Sequence, residues 1–130
     1  MDLAVRVKNK RKEFSISEFP SKYEVFDIGE KTIALYKEII KRSDAVFMKG
    51  TAGYCEEAKF CKGTKELLKQ IAKHKGTAIL GGGHLSTALK KFKINKKQFS
   101  HVSLSGGALV WYLAGKKLPG LEVLRKSHGV

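Results

Sequence analysis

Three glycines, Gly81, Gly82 and Gly83, separate the apolar run Ala78-Ile79-Leu80 from a segment of helical spacing that begins at His84. Two similar loops flank them. Lys49-Gly50-Thr51-Ala52-Gly53 follows the apolar run Ala45-Val46-Phe47-Met48, and Ser105-Gly106-Gly107 follows His101-Val102-Ser103-Leu104. Glycine lets a ligand approach the main chain closely. A helix start offers unpaired N–H groups and partial positive charge. Together they suit anionic oxygens, phosphate above all. The spacing is neither that of a P-loop nor that of a dinucleotide fingerprint, so each loop alone also reads as a tight turn with close helix–strand packing.

To present such loops together, the chain must place them at one edge of a sheet. Leu3–Val7 alternates apolar and basic residues as a half-buried strand does. A charged turn, "KNKRKE", leads to a short return strand "FSI", and "YEVFDIG" is a third strand. Ile33, Leu35, Tyr36, Ile39 and Ile40 share a face over 30–42, predicting a helix, with Glu30 at its start and Lys41 and Arg42 at its end matching the dipole. "DAVFMKG" reads as a buried strand and residues 51–63 as a loop. Thr64 is the expected N-cap of a helix reaching Lys75. "TAIL" is a strand, 84–92 a helix, "HVSLS" a strand and "ALVWYLAG" a short helix, in whose core-facing side Trp111 and Tyr112 are expected. Leu118–Leu124 is expected to pack back on the domain. Strands alternating with helices predict an α/β fold, Rossmann-like and three-layered, with a mainly parallel sheet. In such folds ligands sit beyond the C-terminal strand ends, where all three glycine loops fall.

The 130 residues suit one domain. The chain carries 26 Lys and Arg against 12 Asp and Glu, a net charge of +14. Residues 67–130 hold a single acid, Glu122. Such a balance favours polyanions. Cys55 and Cys61 match neither a disulfide framework nor a zinc site and are expected as free thiols in the cytoplasm. No apolar run approaches the roughly 18 residues of a membrane span, and the N-terminus lacks a signal-peptide pattern.

The segments "FDIGEKTIALYKEII", "KGTAGYCEEAKFCKGT", "AILGGGHLSTALKKF" and "FSHVSLSGGALVWYLAGKKLPGLEVL" resemble phosphoglycerate kinases, specifically the terminal portion of their C-terminal, nucleotide-binding domain. The resemblance covers nearly the whole chain and implies a single domain fragment, incomplete relative to the full C-terminal domain and without the domain that binds phosphoglycerate. It implies ADP or ATP as ligand. Gly81, Gly82 and Gly83 match the phosphate-side loop. His84 stands where the family commonly has the Asp that helps place magnesium, which leaves the metal without its carboxylate, although His84 can still hydrogen-bond phosphate. Leu85 replaces a frequent hydroxyl donor, with Ser86 and Thr87 just beyond. Gly106 and Gly107 remain of a Thr-Gly-Gly-Gly motif whose N–H groups receive the transferring phosphate. Lys49-Gly50-Thr51 stands for Asn-Gly-Pro, Gly53 is kept, and Glu56 aligns with the carboxylate that holds the ribose. Tyr54 and Cys55 border the site.

By this resemblance the chain is a nucleotide-binding part of a phosphoglycerate kinase that is not competent alone. The strand at Leu3–Val7 needs its edge covered by the missing portion, a second copy, another protein or the "KNKRKEFSI" hairpin. The alternative is a basic, non-catalytic scaffold for RNA or a ribonucleoprotein such as the ribosome, with "KNKRK", "KKFKINKK" and "LRKSHGV" as contacts. A third reading is a structural remnant without a ligand.

Overall fold

The computed structural model describes residues 1–129. Six strands form two three-stranded sheets. The first is antiparallel, in the order β2-β1-β3, from β1 (Asp2–Val7), β2 (Lys10–Ser15) and β3 (Val25–Ile28). The second is parallel, in the order β4-β5-β6, from β4 (Ala45–Lys49), β5 (Thr77–Gly81) and β6 (His101–Ser103). Five helices join them: α1 (Glu30–Arg42), α2 (Lys62–Ile71), α3 (Gly83–Lys91), α4 (Gly106–Leu113) and α5 (Pro119–Ser127).

The main core lies on one face of the parallel sheet. Ala78 and Leu80 of β5 pack with Leu67, Leu68 and Ile71 of α2 and with Leu85, Ala88 and Leu89 of α3. Strand alternation sends Val46, Met48 and Val102 to the same side. The opposite face meets α4: a Cβ on Gly81 would lie 3.1 Å from Leu109 Cδ2. The α/β arrangement with helices on both faces of a parallel sheet is therefore present. The N-terminal sheet adds an antiparallel layer against which α1 packs, burying Ala4, Val5 and Ile33.

Several local expectations are corrected. The return strand is Lys10–Ser15 rather than "FSI", and it places β1 in the middle of its sheet, so the hairpin covers that edge. Its charges mark an exposed ribbon, which hid the strand from a reading based on apolar residues. The second helix starts at Lys62 and ends at Ile71. Thr64 is fully buried, and its hydroxyl accepts from Ala52 N–H (3.0 Å), tying the loop after β4 to α2 instead of capping a helix. The segment after Leu118 is a helix, and Leu121, Val123 and Leu124 are exposed on it. Trp111 and Tyr112 are also exposed, at 53% and 59%, where core positions were expected. Cys55 and Cys61 form a disulfide, with Cα atoms 4.3 Å apart, instead of two free thiols. No helix among the described residues is long and apolar enough to cross a membrane.

Candidate anion and nucleotide site

Lys49, Gly81 and Ser103 stand in one row, as β4 pairs with β5 through Lys49 and Gly81, and β5 with β6 through Gly81 and Ser103. The three loops leave the sheet from that row. Gly82, at φ +112°, is the N-cap of α3, and this left-handed region is open to glycine without steric cost. Gly50, at φ +77°, turns the chain after β4, and its N–H reaches Gly81 O at 3.4 Å. Gly106 begins α4 directly against this turn: a Cβ there would lie 3.2 Å from Lys49 Cε and 3.3 Å from Gly82 Cα. Two glycine loops and a lysine stem thus touch at the C-terminal edge of the sheet.

The donors at these helix starts divide into spent and free. Gly82 N–H is spent on Ser103 O (2.9 Å). The N–H groups of Gly83, His84 and Leu85 have no acceptor among the described residues, and neither do those of Gly106, Gly107 and Ala108. Lys49 has no ion-pair partner among the described residues, so its charge is free for a ligand.

The starts of α1 and α2 look different. Asp2 is buried and accepts from Thr32 N–H (2.8 Å) and Lys31 N–H (3.1 Å), while Glu13 accepts from Glu30 N–H (3.1 Å). The start of α1 is therefore filled by the protein's own carboxylates. Burial works to raise the Asp2 carboxyl, but the Thr32 and Lys31 N–H donors outweigh it and hold it below its ordinary value. At the start of α2 Asp27 accepts from Gly63 N–H (3.0 Å), and it pairs with Arg11 Nη1 (2.8 Å). Arg11 is also bonded to Lys59 O (3.1 Å) and Ile28 O (2.9 Å), so this buried charge pair leaves little of its donor fork unsatisfied.

Beside the open helix starts lies a cavity of about 430 Å³ lined by Thr51, Gly53, Tyr54, Cys55, Glu56, His84, Thr87, Ala88 and Lys91. The last four follow i, i+3, i+4, i+7 spacing, one face of α3. Tyr54 donates its hydroxyl to Glu56 Oε2, and this bond, with the carboxylate's charge, pushes the tyrosine above its ordinary value. Lys91 Nζ donates to Cys55 O (2.8 Å), tying α3 to the opposite wall.

The structure thus brings Gly81, Gly82, Gly83, Gly50, Gly106 and Gly107 to one edge, and His84, Gly53 and Glu56 to the adjoining cavity. Leu85 is fully buried, so its side chain lies in the core and not in the cavity. Ser86 lines a different cavity, with Leu89, Lys93 and Leu104, and its buried hydroxyl has no partner among the described residues. Gly53 has a packing task as well, because a Cβ there would collide with Asp27 Oδ1 and Phe60 O. Sequence reasoning missed Lys91, and it named Thr87 only as a hydroxyl beyond Leu85. Their helical spacing from His84 was the available signal.

A sequence model of the phosphoglycerate kinase family matches residues 1–116. The phosphoglycerate kinase of Methanococcus maripaludis is 45% identical over 98% of this chain, and that of Methanothermus fervidus 36% identical over 98%. In each case the aligned region is 31% of the relative. The crystal structure of phosphoglycerate kinase from Pyrococcus horikoshii superposes with a TM-score of 0.86 at 32% identity, covering 98% of this chain and 32% of that one. The Coxiella burnetii phosphoglycerate kinase structure gives 0.81 at 32% identity, over 95% and 33%. The chain therefore spans about a third of the length of these relatives.

Proposed function

The chain belongs to the phosphoglycerate kinase family, and from that premise we propose that it forms the phosphate- and ribose-holding part of a cytoplasmic site for ADP or ATP. The observation that carries this reading is the contrast between helix starts. At α1 and α2 the carboxylates of Asp2, Glu13 and Asp27 accept from the helix start, whereas at α3 and α4 no carboxylate does and free N–H groups stand side by side. A paired set of open donors beside an unpaired lysine suits a polyphosphate.

In this reading Gly83, His84 and Leu85 bind phosphate oxygens through their N–H groups, and Gly106 and Gly107 do so for the phosphate being transferred. Glu56, oriented by Tyr54, accepts from the ribose hydroxyls at the far end of the cavity. The residues present do not fit magnesium. An imidazole at His84 is a poor ligand for a hard, oxygen-seeking cation, and the lining of the adjoining cavity brings a single carboxylate, Glu56, which is bonded to Tyr54. No step is assigned to a metal here.

Phosphoryl transfer between 1,3-bisphosphoglycerate and ADP needs both substrates aligned in a closed site. This chain supplies residues for one of them, so the proposal makes it inactive alone. The partner is the remaining portion of a phosphoglycerate kinase, and the bare apolar side chains Phe47, Trp111, Leu113 and Leu124 are its contact surface. Isothermal titration with ADP, with and without magnesium, is the test. Saturation is expected near millimolar nucleotide, where binding is worth roughly 4 kcal/mol; flat titrations there overturn the reading. The RNA alternative is favoured by Lys90, Lys93, Lys96 and Lys97, none of which has an ion-pair partner among the described residues. RNA affinity that falls steeply with salt would support that alternative.

A further inference from the structure

We propose that the Cys55–Cys61 pair is a reversible redox modification site that sets the nucleotide affinity of the adjoining cavity; this rests on the nucleotide reading above. Cys55 lines the cavity between Tyr54 and Glu56, the residues that would hold the ribose. Cys61 is 1% exposed and is the N-cap of α2. The bond therefore anchors the cavity's outer wall to a core helix that packs in the main hydrophobic cluster. The wall's other ties are non-covalent. One backbone bond joins Tyr54 N–H to Phe26 O (2.7 Å). At its ends the wall is held by Ala52 N–H on the Thr64 hydroxyl (3.0 Å) and by buried Phe60, and Tyr54 packs edge-on against Phe26. Between them, around Cys55, the remaining contacts are part-exposed side-chain bonds, Arg6 and Lys59 on Glu57 and Lys91 on Cys55 O, which salt and water attenuate. In a reducing compartment a disulfide of this kind is transient and regulatory rather than a permanent staple.

Accessibility fixes the direction of attack. Cys55 is half-buried at the cavity and Cys61 is sealed in the core. A thiolate of a cellular dithiol reductant attacks Cys55 Sγ, the Cys55–Cys61 bond breaks, and its electron pair leaves on Cys61 Sγ, which takes a proton. The donor's second thiol then attacks its own sulfur in the mixed disulfide and releases Cys55, which is protonated in turn. Two electrons and two protons pass to the pair, and the donor leaves as a disulfide. The oxidised wall is pre-organised for ligand, so it binds more tightly; the reduced wall must be ordered at the moment of binding.

The experiment compares the whole chain in air-oxidised and dithiothreitol-reduced form, with free thiols counted under denaturing conditions and ADP affinity measured by titration. The expected result is no free thiol in the first form, two in the second, and a Kd raised about fivefold or more by reduction. The C55S/C61S double variant should bind as the reduced chain does and ignore the reductant, while hydrogen exchange over residues 53–61 should quicken on reduction. Equal affinities in two forms that both bind ADP overturn the switch and leave the nucleotide site standing. Two free thiols that survive oxidation overturn it as well. Absence of ADP binding in both forms overturns the nucleotide reading, and the proposed control of that affinity with it.

Discussion

The two halves of the molecule treat the same physical problem, the unpaired N–H groups at a helix start, in opposite ways. Around the antiparallel sheet, Asp2, Glu13 and Asp27 close the starts of α1 and α2, and the glycines there make room for those carboxylates. A Cβ on Gly29 would collide with the Asp2 carboxyl group, and one on Gly53 or Gly63 with that of Asp27. Around the parallel sheet, Gly82, Gly83 and Gly107 have no neighbour within 4 Å of a Cβ position, and the helix starts beside them are open. Glycine thus signals internal crowding at Gly29, Gly53 and Gly63 and external access at Gly82, Gly83 and Gly107. A glycine-rich sequence alone does not separate these meanings. What separates them is whether a carboxylate from a distant part of the chain already occupies the site.

The comparison breaks most visibly at Asp27. Its side chain is 0% exposed and that of Arg11 14%, so Asp27→Ala removes the buried carboxylate from Arg11, leaving it only the more exposed Glu13 carboxylate (3.2 Å), and leaves Gly63 N–H without an acceptor. A loss of about 3–5 kcal/mol is expected in urea unfolding, enough to unfold much of a marginal domain. Next in size is Gly53→Ala, which forces a methyl group against Asp27 and the Phe60 carbonyl and should cost about 1–3 kcal/mol. Gly107→Ala, made where nothing stands nearby, should leave the unfolding midpoint nearly unchanged. Equal losses in these two variants would remove the distinction between crowded and open glycines.

Asp2 sharpens the comparison through pH. Its carboxyl is held below its ordinary value in the folded chain. The folded state therefore binds that proton less readily than the unfolded one, and the contribution to stability is complete above the unfolded pKa, about 4. It fades as pH falls through and below that value. Asp2→Asn should cost about 1–2 kcal/mol at neutral pH and flatten the acid limb of a stability–pH curve. An acid limb of unchanged slope would mean that Asp2 does not carry the charge that closes α1.

The order of strands and helices was legible because it rests on local periodicity. Leu67, Leu68 and Ile71 on one helix, and Ala78 and Leu80 on one strand, announce their faces within a few residues. The glycine loops were legible as candidates for the same reason. What escaped the sequence was long-range. Asp2 meets Thr32 across 30 positions and Asp27 meets Gly63 across 36, and nothing local marks an acid as a helix-closing group from that distance. Thr64 misled because its hydroxyl serves the Ala52 amide instead of its own helix. Trp111 and Tyr112 misled because an apolar run predicts burial without naming the surface that provides it, and α4 in this chain is covered on its sheet-facing side only.

A small expected change in stability comes with the most direct exchange between the two halves. Ser105 is the N-cap of α4, with extended backbone angles and no side-chain bond to the helix start. Ser105→Asp would give α4 what Asp2 gives α1, a carboxylate at its free N–H groups. The folded state should gain about 0.5–1 kcal/mol from the cap and the helix dipole. If those N–H groups are a ligand site, the same carboxylate competes with phosphate and repels it, so ADP affinity should fall as stability rises. Thermal unfolding and nucleotide titration on one preparation read both. A variant that is more stable and binds ADP undiminished would show that α4's open start serves no anion, and the contrast between the halves would then reflect packing alone.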